Sequence, residues 1–255
     1  SDLGRVRSLD PGDGGTRIRV GGRIGNRSEE VRSRLRIDNP PAFAGSVLRK
    51  SLAMVDVTLE GDVRTGSAPD DAEVIVSHGS QPLSYIILAM NKWSNNFMAE
   101  QLLRQLGTGD GNASTWKASR SALRDFLAKV GLDPSKLQIK NGSGLYDGNL
   151  VSPRQFTDLL TYMLDHRAAP EFLSSLAIAG KDGTLADRMD SEATAGNVRA
   201  KTGTLHDVSA LSGYVTTASD RRLAFSILFD ETPRRAWRYR PVQDEIVKLL
   251  AQIDR

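Results

Sequence analysis

At 255 residues, with 39% hydrophobic and 25% charged residues, the chain has the composition of a globular protein, long enough for one large core or a core plus a smaller module. The absence of cysteine excludes disulfides, thiolate metal sites and cysteine nucleophiles, and the three histidines, His78, His166 and His206, are spaced too widely for an HExxH-type zinc pair. The net charge of +3 is uneven, because residues 1–50 carry ten arginines and one lysine against six acids, a balance of +5 that leaves −2 for the rest.

An arginine-rich head can mark nucleic-acid binding. Here Arg17 and Arg19 alternate with Ile18 and Val20, and Arg32, Arg34 and Arg36 alternate with Val31, Ser33, Leu35 and Ile37, the pattern of amphipathic strands with a solvated basic face. No aromatic residue interleaves them to stack bases, so no nucleic-acid partner is expected. No run of about 18 apolar residues occurs, so no transmembrane segment is expected. The first fifteen residues lack the apolar centre of a signal peptide, so any export signal is expected to have been removed or to lie upstream of residue 1.

In chain order, residues 1–37 predict strands joined by glycine-rich turns at Pro11–Gly15 and Gly21–Gly25. Asn39-Pro40-Pro41 breaks that pattern ahead of a helix over Ala42–Met54, and strands are expected at Val55–Leu59 and Ala72–Val76. From Pro82 the texture becomes helical, with helices over Leu83–Met90, Asn95–Leu106, Thr115–Val130 and Pro153–His166. In the second of these, Phe97, Met98, Leu102, Leu103 and Leu106 supply the apolar face, and Gly107 and Gly131 stand where C-terminal caps belong. Strands return at Val198–Thr202, Ser209–Thr216 and Leu223–Asp230, the last two joined by a turn at Ala218-Ser219-Asp220, and a helix over Pro241–Ile253 closes the chain.

The stretch VRAKTGTLHDVSALSGYV (Val198–Val215) places Lys201 and two threonines on one strand. The plain reading is an exposed charge at a strand end; the sharper one is an anion-binding strand, since a lysine and hydroxyls together give charge-assisted bonds to a carboxylate. About a hundred residues earlier stands Ser94-Asn95-Asn96, a Ser-x-Asn that alone carries little weight, because Ser or Asn ahead of an apolar helix is ordinarily an N-cap. The order Ser-x-Asn at a helix junction, then Lys-Thr-Gly on a strand, matches the second and third elements of the serine penicillin-recognising site.

The segments KWSNNFMAEQLLRQLG (Lys92–Gly107), NGSGLYDGNLVSPRQF (Asn141–Phe156) and AKTGTLHDVSALSGYV (Ala200–Val215), with HGSQPL (His78–Leu83) before them, closely resemble the C-terminal half of the class C low-molecular-mass penicillin-binding proteins, the D-alanyl-D-alanine carboxypeptidase/endopeptidases. The resemblance covers residues 38 to 255. It implies an α/β, β-lactamase/transpeptidase-like fold, an antiparallel sheet flanked by helices, with residues 77–255 as the C-terminal part of the catalytic domain and residues 1–76 as the end of an inserted α/β accessory module. It implies an exported serine D,D-peptidase of the periplasm or cell envelope that acts on peptidoglycan stem peptides, is inhibited by β-lactams and needs no metal or organic cofactor.

By the same resemblance, Lys201, Thr202 and Thr204 bind the substrate's terminal carboxylate, Gly203 keeps the strand clear for the ligand backbone, and the Thr204 N–H forms half of an oxyanion hole. Ser94 relays a proton to the leaving amine, Asn96 holds the substrate amide, and Ser143, Gly144 and Leu145 line the stem-peptide pocket. This geometry requires Lys201 within about 6 Å of the Ser94 hydroxyl, the range of direct charge coupling, and the strand Val198–Thr204 at a sheet edge. The sequence departs from the family pattern at Asn141, where Asp is common, at Tyr146, where Ser is common, and at His206-Asp207, where a small polar residue and Gly are common. These rim positions bear on substrate preference rather than on reaction type.

One element is missing. The nucleophile motif Ser-x-x-Lys occurs only at Ser114-Thr115-Trp116-Lys117, after Ser-x-Asn instead of before it, where it reads as the start of a helix with Ser114 as N-cap. Either the nucleophile lies on the protein's own N-terminal segment, upstream or separate, or the chain is a non-catalytic cell-wall peptide or partner-binding module of the same fold. The abrupt opening in an arginine-rich β region favours the former.

Overall fold

The structure is a computed structural model that describes residues 7–9, 17–21, 35, 37–109, 114–145 and 148–254. Its contacts divide the chain into two units, Ser1–His78 and Gly79–Arg255.

In the first unit, β1 (Arg7–Leu9) pairs antiparallel with β2 (Arg17–Arg19), Ser8 opposite Ile18. The expected amphipathic burial of β2 is not seen, since Ile18 and Val20 are exposed along with Arg19. The strand expected at Val31–Ile37 falls largely outside the described residues. Helix α1 (Pro40–Ala53) starts two residues earlier than expected, because proline needs no N–H partner in a first turn, and the Asn39 side chain accepts the Ala42 N–H at 3.2 Å. The strands expected at Val55–Leu59 and Ala72–Val76 do not form. Both runs are β-branched but find no ladder partner among the described residues, and Val74, Ile75 and Val76 lie exposed.

The second unit opens with α2 (Leu83–Trp93), α3 (Asn96–Gln105) and α4 (Trp116–Lys129), followed after a loop by α5 (Pro153–Asp165) and α6 (Ala169–Ser175). A capping box fixes the start of α5: the Ser152 hydroxyl accepts the Gln155 N–H, and the Gln155 side chain accepts the Ser152 N–H. Gly131, at φ +86, ends α4 as expected, whereas α3 ends in a right-handed Leu106, with Gly107 packed where a Cβ would come within 2.6 Å of Ser119 Oγ. Of the apolar face expected on α3, Leu103 is buried but Phe97 and Leu106 are exposed.

A four-stranded antiparallel sheet follows in the order β3 (Ala177–Ile178), β4 (Val198–Thr204), β5 (Ser209–Thr216), β6 (Arg222–Phe229), and α7 (Arg240–Ala251) closes the chain. One face of the sheet, with Val198, Ala200, Leu211, Val215 and Phe225, packs on Val247 and Ala251 of α7, two positions of a helical stripe. The other face sets Tyr214 against Leu160 of α5 and Leu176, and the Tyr214 hydroxyl donates to the Leu160 carbonyl at 2.7 Å. Burial pushes that phenol up to about 12. No described helix is long and apolar enough to cross a membrane.

Candidate active site

Helix α2 ends at Ser94, which takes a left-handed conformation, φ 52 and ψ 50. For a residue with a Cβ this costs roughly 1–2 kcal/mol, and it reverses the chain within one residue. Asn95 then returns to an extended conformation and its side chain accepts the Met98 N–H at 3.0 Å, capping α3. The middle residue of Ser-x-Asn is thus the N-cap, which leaves Ser94 and Asn96 free of that duty.

Lys201 projects from the midpoint of β4 and donates to Ser94 Oγ at 2.7 Å and to the Thr202 carbonyl at 2.7 Å. The expected juxtaposition is met across 107 residues of sequence. No carboxylate pairs with Lys201 among the described residues, and burial lowers its ammonium to about 8. A cation so held beside a hydroxyl can pass or withhold a proton near neutrality.

The expected edge position is met only in part. Ala200 and Arg199 pair with Ala177 and Ile178 of β3, and the register leaves Lys201 to Thr204 beyond that ladder. The ladder stops there because Leu176, the residue that would next face Lys201, is the C-cap of α6 rather than part of β3. Thr202 Oγ1 donates to Thr184 Oγ1 at 2.9 Å, and Thr204 Oγ1 accepts from Arg240 Nη2 at 3.2 Å. Gly203 has a packing reason besides the expected ligand clearance: a Cβ there would stand 3.2 Å from the Ala210 Cβ of β5.

Two ties hold Ser94 over β4. The Lys92 ammonium pairs with Asp182 Oδ2 at 2.7 Å and donates to the Leu176 carbonyl at 2.9 Å, and Asn91 Nδ2 donates to Ser175 Oγ at 2.8 Å. Gly183, at φ +58, lets the next turn close on α2, since a Cβ there would lie 2.6 Å from the Lys92 carbonyl oxygen.

The loop containing Ser143, Gly144 and Leu145 is held from α3. Glu100 accepts the Ser143 N–H at 3.0 Å, the Ser143 hydroxyl at 2.5 Å and the Gly142 N–H at 3.2 Å. Asn141 Oδ1 accepts the Gly144 N–H at 2.7 Å, and Leu145 is exposed. Glu100 lies one turn beyond Asn96, on the same helix face. Asn96 is itself exposed and forms no side-chain hydrogen bond among the described residues. Sequence reasoning missed Glu100, Lys92, Asp182, Thr184 and Arg240; only Glu100, four residues from Asn96, and Lys92, two before Ser94, carried a local signal.

Ser114 is a different matter. Thr115, not Ser114, caps α4 by accepting the Ala118 N–H at 3.1 Å, because its extended backbone places the hydroxyl over the first turn. Ser114 donates to the Arg104 carbonyl and lies 3.2 Å from Ser119 Oγ, while Lys117 is exposed on the helix surface. Tyr146, among the rim departures, lies outside the described residues. A cavity of about 320 Å³ is lined by Tyr162, Asp165, His166 and Arg167, none of them in the Ser94–Lys201 group.

The model of the D-Ala-D-Ala carboxypeptidase 3 (S13) family matches residues 8–253. The chain belongs to the S13 family. Among curated relatives of this S13 chain, a D-alanyl-D-alanine carboxypeptidase of Actinomadura sp. (strain R39) is 38% identical over 228 residues, 86% of this chain and 42% of that protein. Among solved structures, penicillin binding protein 4 from Haemophilus influenzae, complexed with a β-lactam, superposes with a TM-score of 0.82 at 23% identity, over 98% of this chain and 60% of that one. A predatory endopeptidase from Bdellovibrio bacteriovorus gives a TM-score of 0.55 at 26% identity, over 82% of this chain and 54% of that one. The fold is therefore the serine penicillin-recognising fold, and the S13 chain spans less than half the length of the curated relatives it matches.

Proposed function

We propose that this chain is the carboxylate-reading part of a serine D,D-peptidase that cleaves peptidoglycan stem peptides ending in D-Ala-D-Ala, its nucleophile supplied by a Ser-x-x-Lys segment outside these residues. The observation that carries the reading is the Lys201 ammonium 2.7 Å from the Ser94 hydroxyl, on the strand that continues into Thr202, Gly203 and Thr204. The serine hydroxyl oxygen attacks the carbonyl carbon of the D-Ala-D-Ala bond and gives up its proton, the C–N bond breaks, and that proton passes through Ser94 to the departing amine. Water then hydrolyses the acyl-serine ester. Lys201, Thr202 and Thr204 hold the terminal carboxylate, the Thr204 N–H serves the oxyanion, Asn96 holds the substrate amide, and the Ser143–Leu145 loop meets the stem peptide. None of these steps calls for a metal or organic cofactor.

Kinship with the Actinomadura carboxypeptidase supports the substrate class, and likeness to the Bdellovibrio endopeptidase supports cross-link cleavage beside terminal trimming. The β-lactam complex of the Haemophilus protein supports β-lactams as inhibitors. In this reading residues 1–76 end an inserted accessory module, residues 77–255 are the C-terminal part of the catalytic domain, and the protein works in the cell envelope, where its substrate lies. The test is release of D-Ala from an N-acetylated Lys-D-Ala-D-Ala peptide by the protein that includes its Ser-x-x-Lys segment. Lys201→Ala lowers kcat/KM by about 10²–10³, the scale of losing one preorganised electrostatic group. Binding of the peptide without any turnover would instead support a non-catalytic wall-binding module.

A further inference from the structure

Lys201 is poorly placed to serve the Thr204 end of β4 alone. Side chains alternate along a strand, and the register sets Lys201 in a row with Ser212 and Ser226, while Thr202 and Thr204 share the opposite face, that of Leu211 and α7. The Lys201 ammonium already gives two of its three protons to Ser94 and to the Thr202 carbonyl. On the threonine face a second cation is present. Arg240, the first residue of α7, donates from Nη2 to Thr204 Oγ1 at 3.2 Å.

Its approach is built into the backbone. The Ala236 N–H donates to the His206 carbonyl at 3.1 Å, and both the N–H and the hydroxyl of Thr232 donate to the Asp207 carbonyl, at 3.1 and 2.9 Å. The segment leading to Arg240 is thereby pinned to the loop that follows Thr204. Arg240 is exposed and forms no ion pair among the described residues, so guanidinium N–H groups remain for a ligand. A threonine hydroxyl that accepts from a guanidinium keeps its own proton to donate. A carboxylate at this point therefore receives one neutral and one charge-assisted bond.

We propose that Arg240 is a substrate-binding residue which, with Thr204, reads the terminal carboxylate of the D-Ala-D-Ala peptide from the sheet face opposite Lys201. The inference rests on the serine D,D-peptidase reading above. Its consequence is a division of labour by pH. Lys201, lowered to about 8 by burial, loses charge in mild alkali, whereas a guanidinium stays protonated and keeps a cation on the carboxylate.

The experiment uses the protein with its Ser-x-x-Lys segment and two probes, an N-acetylated peptide ending in D-Ala-D-Ala and the same peptide as its C-terminal amide. Arg240→Gln raises KM for the free acid about tenfold, the order of a lost charge-assisted contact, so that the acid's advantage over the amide shrinks. Arg240→Lys, which restores charge but not the planar fork, recovers part of that advantage. Between pH 7 and 9.5 the variant's KM for the acid climbs more steeply than that of the parent protein. Equal losses for acid and amide would mean that Arg240 only supports Thr204, and an unchanged KM would mean that it contributes nothing; either overturns the proposal. A parent protein that turns over neither probe would sink the peptidase reading itself, an outcome distinct from both.

Discussion

Lys201 joins a charge requirement to a desolvated position. Its ammonium is lowered to about 8 by burial, so for a base the sign is clear: the folded state holds its proton less firmly than the unfolded chain, and stability rises as pH climbs from about 8 towards the ordinary lysine value. Under the proposed function, activity is expected to run the other way: the charged form of Lys201 contributes to carboxylate binding, so kcat/KM for an acid substrate, which reports the free enzyme, is expected to fall above about pH 8. Lys201→Met removes that limb and flattens the stability profile over the same window; an alkaline limb that survives the substitution would assign it to another group. Ser94 makes a second test at this scale. Ser94→Gly and Ser94→Ala both remove the hydroxyl and slow amine departure, but only glycine relieves the left-handed backbone. The glycine variant is expected to be more stable than the alanine variant by about 0.5–1 kcal/mol by urea unfolding, the αL penalty less glycine's entropy.

At the scale of elements, the site depends on how α2 and α3 are tied to the sheet. The Lys92–Asp182 pair is largely buried on its lysine side and fixes the last turn of α2 to the turn after β3. Asp182→Asn leaves Lys92 without its counter-charge and also weakens the bond from the Ile178 N–H, so a loss of about 1–3 kcal/mol is expected, with slower acylation because Ser94 loses its register over Lys201. Glu100→Ala frees three donors of the 142–143 loop and is expected to raise KM for stem peptides with little change for minimal substrates; an equal effect on both would show that the loop supports the site rather than the substrate. Helices α3 to α5 and strands β4 to β6 were legible in the sequence because each buries one face, and burial imprints the helical or alternating period on the residues. Strand β3 and helix α6 were not, since two and seven residues are too short to show a period. Val55–Leu59 and Ala72–Val76 misled for the opposite reason, having strand composition but no ladder. Asp182, Thr184 and Arg240 were invisible because each meets its partner only through tertiary packing, outside any local window.

For the whole molecule, the question is where the attacking serine sits. The family motifs on α2–α3 and β4 are assembled, and Ser114, the first residue of the chain's one Ser-x-x-Lys, is committed to the junction of α3 and α4. In the function proposed here the nucleophile is carried by a segment other than these residues and docks beside Ser94 and Lys201. Intact-mass spectrometry after incubation with a penicillin tests this most directly. The account predicts no covalent adduct on the 255-residue chain alone, and one acyl adduct, on a serine of the upstream segment, when that segment is supplied in the same chain or as a separate piece. An adduct on the chain alone, mapped to Ser114, or none with the upstream segment present, would contradict it.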